Sequence, residues 1–202
     1  CLIIKGLVME TNEMTPVKSL QIINEAIEKS RRDFEQDAGT PMIVWGAVVL
    51  VFSLAVCIMW KLTGNLSWNF LWFGIPILGW PLSAFILKGK RRNGGKSFIS
   101  RTIGQIWISY GIFATVLSTV FALMAPQFTG YITAALLGFA ATMTGFILKN
   151  NFITIGGFIT GIGCTIALFF TSIEFTPLFF TVASILNLIV PGIMMNKKAN
   201  LK

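Results

Sequence analysis

Six apolar runs constrain this chain more than any other feature: Met42 to Trp60, Leu66 to Leu87, Ile103 to Met124, Tyr131 to Leu148, Ile153 to Ser172 and Leu178 to Met195. Each is close to the ~20 residues that a helix needs to cross a bilayer core. In hydrocarbon a lone helix satisfies its own backbone donors and acceptors, whereas a lone strand does not. The pattern predicts an all-α integral membrane bundle of six transmembrane helices. Hydrophobic residues make up 54% of the chain and charged residues 12%, a balance that leaves too little polar surface to cover a water-soluble domain.

The positive charges are segregated. Lys18, Lys29, Arg31 and Arg32 precede the first span, and Lys88, Lys90, Arg91, Arg92, Lys96 and Arg101 follow the second. Lys149 follows the fourth span, and Lys197, Lys198 and Lys202 follow the sixth, while Lys61 alone falls on the other side. The positive-inside rule then predicts a multi-pass protein of the plasma membrane with both termini cytoplasmic and the loops at 61–65, 125–130 and 173–177 outside. The net charge of +8 is explained by this topogenic role, so nucleic acid is not expected as a partner. The lipid bilayer is.

Thr15-Pro16 has the grammar of a helix start and Gly39 that of a stop, which predicts a cytoplasmic amphipathic helix over 16–38. Leu20, Ile23, Ile27 and Phe34 share one stripe, and the opposite face mixes Glu25, Glu28, Asp33, Glu35 and Asp37 with Lys18, Lys29, Arg31 and Arg32. A helix made to lie on anionic lipid is rich in Lys and Arg on its polar face. This near-neutral one suits a protein partner, or alternatively a lid over its own bundle. Thr40-Pro41 repeats the start signal, so a turn is expected between this helix and the first span.

The domain reading is an upstream or disordered stretch over 1–15, the amphipathic helix, a six-helix transmembrane domain over 42–195 and a basic cytoplasmic tail over 196–202. Met9 or Met14 is the expected start, with Cys1 to Val8 carrying no function. Phe-Ile-Leu-Lys closes both the second span (Phe85 to Lys88) and the fourth (Phe146 to Lys149), and Trp45 and Trp107 enter the first and third. This weak repeat suits three antiparallel hairpins. The short connection Lys149-Asn150-Asn151 requires spans four and five to be adjacent.

The chain has no histidine, which removes the most frequent general base and transition-metal ligand together. No Asp, Glu, Lys or Arg falls within the spans away from their ends, so no proton relay is suggested. We expect no enzyme activity, no catalytic residue, no cofactor and no metal site. Pro76, Gly79 and Pro81 predict a kink in span two, and with Trp80, Gln105 and Asn187 they are the candidate cavity or hinge residues. Ala134 and Gly138 in span four, with Gly157 and Gly161 in span five, form rows of small residues that predict close helix packing.

The run NEMTPVKSLQIINEAIEKSRRDFEQDAGTP before the first span and ITIGGFITGIGCTIALFF in the fifth resemble a family of bacterial polytopic inner-membrane proteins with no assigned activity. The resemblance implies a bacterial membrane setting and transfers no site residue. Two functions fit these features. One is a regulatory or accessory protein that couples the bundle to a cytoplasmic partner through 16–38; the other is a small transporter or channel for an uncharged or lipophilic substrate.

Overall fold

The computed structural model describes residues 16–87 and 97–200, and every regular element among them is helical. The expected extension over 1–15 and the basic residues Lys88 to Lys96 lie outside the described residues. Six helical stretches are long and apolar enough to cross a membrane: Pro16–Thr63, Ser67–Ile86, Phe98–Met124, Thr129–Leu148, Asn151–Phe170 and Thr176–Lys197. They run up and down, so Arg101, Lys149 and Lys197 gather at one end, here termed the basic end, with Lys61 and Glu174 at the other. Ile108, Ile112, Phe113, Val116 and Val120 are all exposed along the third span, an apolar surface suited to lipid rather than water.

The first correction concerns the amino-terminal helix. It does not stop at Gly39; a single helix, α1, runs from Pro16 to Thr63, about 72 Å at 1.5 Å per residue. Pro41 lies inside it and removes one donor, a single rung of the ladder. Gly39 serves another purpose, because it is buried against the last helix, α8 (Val190–Asn200). A β-carbon on Gly39 would lie 2.8 Å from the Gly192 carbonyl oxygen, and one on Gly192 would lie 2.8 Å from that of Gly39. Backbone meets backbone there, and a backbone carbonyl cannot swing aside. Gly39→Ala is therefore expected to lower stability by about 1–3 kcal/mol, despite alanine's better helix propensity, as read by thermal unfolding in detergent.

That same contact replaces the three-hairpin arrangement. The sixth span packs chiefly along the first rather than on the fifth, because Gly39, Gly46 and Gly192 let the two backbones approach. A β-carbon on Gly46 would fall 2.6 Å from Ile189 Cγ1 and 2.9 Å from Leu188 Cβ. α8 stays helical to Asn200, into the expected basic tail over 196–202, and Asn196 faces Gly39.

Span two is irregular just ahead of its prolines. A 3₁₀ segment, Leu66–Phe73, gives way to α2, Gly74–Leu87. Pro76 lies two residues past that junction, in the first turn of α2, and supplies no N–H to the carbonyls of the 3₁₀ segment. Pro81 lies inside α2. Asn65 caps the 3₁₀ segment, its side chain accepting from the Ser67 N–H at 2.9 Å.

The third and fourth spans are α3 (Phe98–Met124) and α4 (Thr129–Leu148). Span five consists of α5 (Asn151–Phe158), a π-helical turn (Ile159–Cys164) and α6 (Thr165–Phe170); span six consists of α7 (Thr176–Ser184), a second π-helical turn (Ile185–Ile189) and α8. Lys149 turns the chain between α4 and α5 with φ 50, and Asn150 caps α5 by accepting from the Phe152 and Ile153 N–H groups.

Gly138 of α4 and Gly161 of span five meet backbone to backbone: a β-carbon on Gly161 would lie 3.2 Å from Gly138 Cα. One on Gly157 would lie 2.9 Å from the Gly138 carbonyl oxygen. Ala134 continues the row into a buried cluster with Leu137, Cys164, Leu168, Phe180 and Ala183. A second cluster at the basic end joins Ala38, Ile99, Ile103, Leu148, Ile153 and Met195.

Candidate functional site

Among the described residues two regions stand out. The first is at mid-bundle, where the π-turns of spans five and six face each other. Thr160 is 0% exposed in one and Asn187 is 1% exposed in the other. The Asn187 amide nitrogen donates to Thr160 Oγ1 at 2.5 Å and to the Ala183 carbonyl oxygen at 3.1 Å. That carbonyl can only accept, which fixes the nitrogen on its side and turns Oδ1 away. Asn187 Oδ1 is buried without a hydrogen-bond partner.

Hydroxyls continue from this pair toward the first span. Ser184 is buried and donates to the Thr181 carbonyl oxygen at 2.8 Å; Thr181 Oγ1 and Ser53 Oγ are 2.7 Å apart. Ser53 is fully buried on α1. These side chains bind α1, span five and span six through neutral hydrogen bonds. Hydroxyls and amides do not titrate near neutral pH, and no carboxylate or imidazole accompanies them. Among the described residues no group of three or more His, Cys, Asp or Glu is placed to hold a metal ion. Cys57 and Cys164 are buried free thiols.

The second region is the amino-terminal part of α1. Its stripe divides in two. Phe34 packs on the basic-end cluster, and Ser30 ties the helix to α3: Ser97 Oγ donates to the Ser30 carbonyl oxygen and the Ile99 N–H to Ser30 Oγ, both at 3.3 Å. Glu28 pairs with Arg31 and lies 3.9 Å from Lys149 Nζ. Beyond Glu28 the bundle no longer covers the stripe: Leu20, Ile23 and Ile27 are 61%, 54% and 46% exposed.

The candidate cavity residues do not assemble. Pro76 and Pro81 are exposed on α2, and Gln105 is exposed on α3. Trp80 is 66% exposed and meets Trp45 edge to face with centroids 6.4 Å apart. Gly79 is buried beneath the same Trp45 ring. Of that group, Asn187 alone joins a buried polar cluster. The four packing residues Ala134, Gly138, Gly157 and Gly161 do lie along one seam between α4 and span five.

An apolar groove of about 390 Å³ opens between α4 and α6, lined by Tyr131, Thr165, Ile166, Phe169 and Phe170. Its hydroxyls are engaged within the protein, Tyr131 donating to the Leu168 carbonyl oxygen at 2.9 Å and Thr165 to that of Gly161 at 2.5 Å. It offers an acyl chain a surface and a polar ligand little.

Reading by residue type singled out Asn187 but passed over Ser53, Thr160 and Ser184, because lone hydroxyls in apolar runs are ordinary. Pro191 following Asn187 by four residues was a usable signal, since a proline there withdraws a donor from the turn that holds the asparagine. With this geometry in view, no protein-family model, no curated protein and no solved structure matches the chain, which therefore stands as an all-helical protein with six candidate membrane spans and no family assigned.

Proposed function

We propose that this is a non-enzymatic accessory or regulatory protein of a bacterial plasma membrane, with both termini cytoplasmic, that presents the amino-terminal part of α1 to a helical segment of a cytoplasmic protein. The observation that carries the proposal is the continuity of α1 with its first span while Leu20, Ile23 and Ile27 stay exposed. Asp37 is the last charged residue before the span. Measured from it, Ile27 stands about 15 Å and Leu20 about 26 Å further along the helix. The headgroup layer on each side of the hydrocarbon is only about 5–8 Å deep. With α1 along the bilayer normal the stripe stands beyond that layer, and the mixture of Glu25, Glu28, Lys18 and Lys29 around it lacks the basic bias of a membrane-surface helix. An amphipathic helix offering anchors at the same spacing fits it.

The exposure of Pro76, Trp80 and Pro81 on α2 and of Gln105 on α3, rather than around a shared cavity, favours this reading over transport. A photocrosslinking residue at Ile23 in native membranes tests the reading. Adducts to one distinct protein that vanish when Leu20 and Ile27 are both changed to Asp support it. Adducts to a second copy of the chain, or to lipid, overturn it.

A further inference from the structure

The rest of the chain leaves one side of α3 uncovered. Its inner side lies on α4, where Ser118 Oγ and Thr133 Oγ1 are 2.9 Å apart, and its first turn is tied to α1 at Ser30. On the opposite side Gln105, Ser109, Ile112, Val116, Thr119 and Leu123 are all exposed. Their spacing alternates four residues and three, the seam of a helix that packs along a second helix. An apolar seam would suit lipid, but this one is interrupted by polar groups. Thr119 returns its hydroxyl to the Thr115 carbonyl oxygen at 2.8 Å, whereas Gln105 and Ser109 have no hydrogen-bond partner among the described residues. Gln105 stands about 6 Å and Ser109 about 12 Å along the span from Arg101, the only charged residue of α3. Hydrocarbon chains offer an amide or a hydroxyl no partner at that depth, and leaving either without one is costly.

We propose that this face is where two copies of the chain meet, α3 against α3, about a two-fold axis along the membrane normal. Copies inserted with the same topology present their third spans in parallel, so each seam residue at the axis faces its own equivalent. A polar side chain that pairs with itself has to donate and accept at once. A glutamine amide and a serine hydroxyl both do so, whereas a charged group would repel its copy. Each Gln105 carboxamide donates to the other and accepts in return, and the Ser109 hydroxyls pair one turn deeper. Ile112 and Val116 fill the next layers of the seam, and the alternating spacing sets the left-handed crossing of about 20° common between membrane helices. This face is separate from the Leu20 stripe on α1.

Disulfide trapping in native membranes tests the contact on the full chain carrying Cys1→Ser, in which Cys57 and Cys164 are buried and supply the blank. With a copper-phenanthroline oxidant, Ser109→Cys and Ile112→Cys should each yield a covalent dimer. Gly111→Cys, exposed at the same depth but about 100° round the helix from Ile112, should yield little. Equal yields from all three would mean chance collision and overturn the proposal. So would the lack of a dimer from Ser109→Cys and Ile112→Cys, or adducts to a different protein. Resonance energy transfer between labelled copies, in vesicles of mixed phosphatidylethanolamine and phosphatidylglycerol, is the second readout. Gln105→Leu should weaken association there by about 3–30-fold, the range for losing interhelical hydrogen bonds. The substitution makes the face more apolar, which lipid tolerates, so unchanged energy transfer would overturn the paired glutamines as the basis of the contact.

Discussion

Gly138→Leu is expected to separate the fourth and fifth spans and to cost about 3 kcal/mol or more, the upper end of overpacking penalties. The argument is steric. A β-carbon alone on Gly138 would fall 2.6 Å from the Gly157 carbonyl oxygen and closer still to the backbone of Gly161. Both neighbours are main chain, so no rotamer change relieves the overlap and the helices must move apart. Separation would also strip contacts from the cluster of Ala134, Leu137, Cys164 and Leu168. Two controls make the measurement specific. Gly111 of α3 has nothing within 4 Å of its β-position, so Gly111→Ala should be neutral or stabilise by about 0.5–1 kcal/mol through helix propensity. Gly163, two residues past Gly161 and so about half a turn away from the seam, meets only Ile159 of its own span, at 3.8 Å, so Gly163→Leu should do far less than Gly138→Leu. Similar melting temperatures for the Gly138 and Gly163 variants would remove the seam as a packing element.

Changing Ile23 and Ile27 together to Asp should weaken the proposed cytoplasmic complex by about 10²–10⁴-fold, taking roughly 1.5–3 kcal/mol for each aliphatic side chain buried on docking. The same pair should leave the isolated protein's melting temperature nearly unchanged, because both side chains are about half exposed and surface substitutions of that kind seldom exceed ±0.5 kcal/mol. Phe34→Asp supplies the contrast. Phe34 packs on the basic-end cluster, so placing a carboxylate there should destabilise the fold itself. If the Ile23 and Ile27 variant melted as low as the Phe34 variant, the stripe would belong to the bundle and the docking proposal would fail.

The six candidate spans were legible because hydropathy acts over whole segments, and apart from the first, whose helix begins at Pro16, the ends differ from expectation by a few residues, as at Phe98 against Ile103. The seam of Gly138, Gly157 and Gly161 was legible for a related reason: at helical spacing small residues make a face whatever lies opposite. Gly39 was misread because a glycine that ends a helix and one that admits a neighbouring backbone look alike until the neighbour is known. Its neighbour, Gly192, lies at the far end of the chain. Pro76 and Pro81 were read as a kink; what residue type did not show is the 3₁₀ segment ahead of them, which becomes α-helix at Gly74. The mid-bundle cluster was least legible. Asn187 is visible as a polar residue in an apolar run, but its meeting with Thr160 arises from two π-turns whose register no local propensity specifies.

α1 leaves the bundle only beyond its ties at Ser30 and Glu28, so the projecting part, Pro16 to Ile27, is about 17 Å long. The remainder is held along its length, by α3 at Ser30 and by α8 at Gly39. A rod gripped over a longer stretch than it projects does not pivot about one point; it turns with whatever grips it. A load on Leu20 would therefore be carried as strain into the contacts at Ser30 and Gly39, with no linker in between to absorb it.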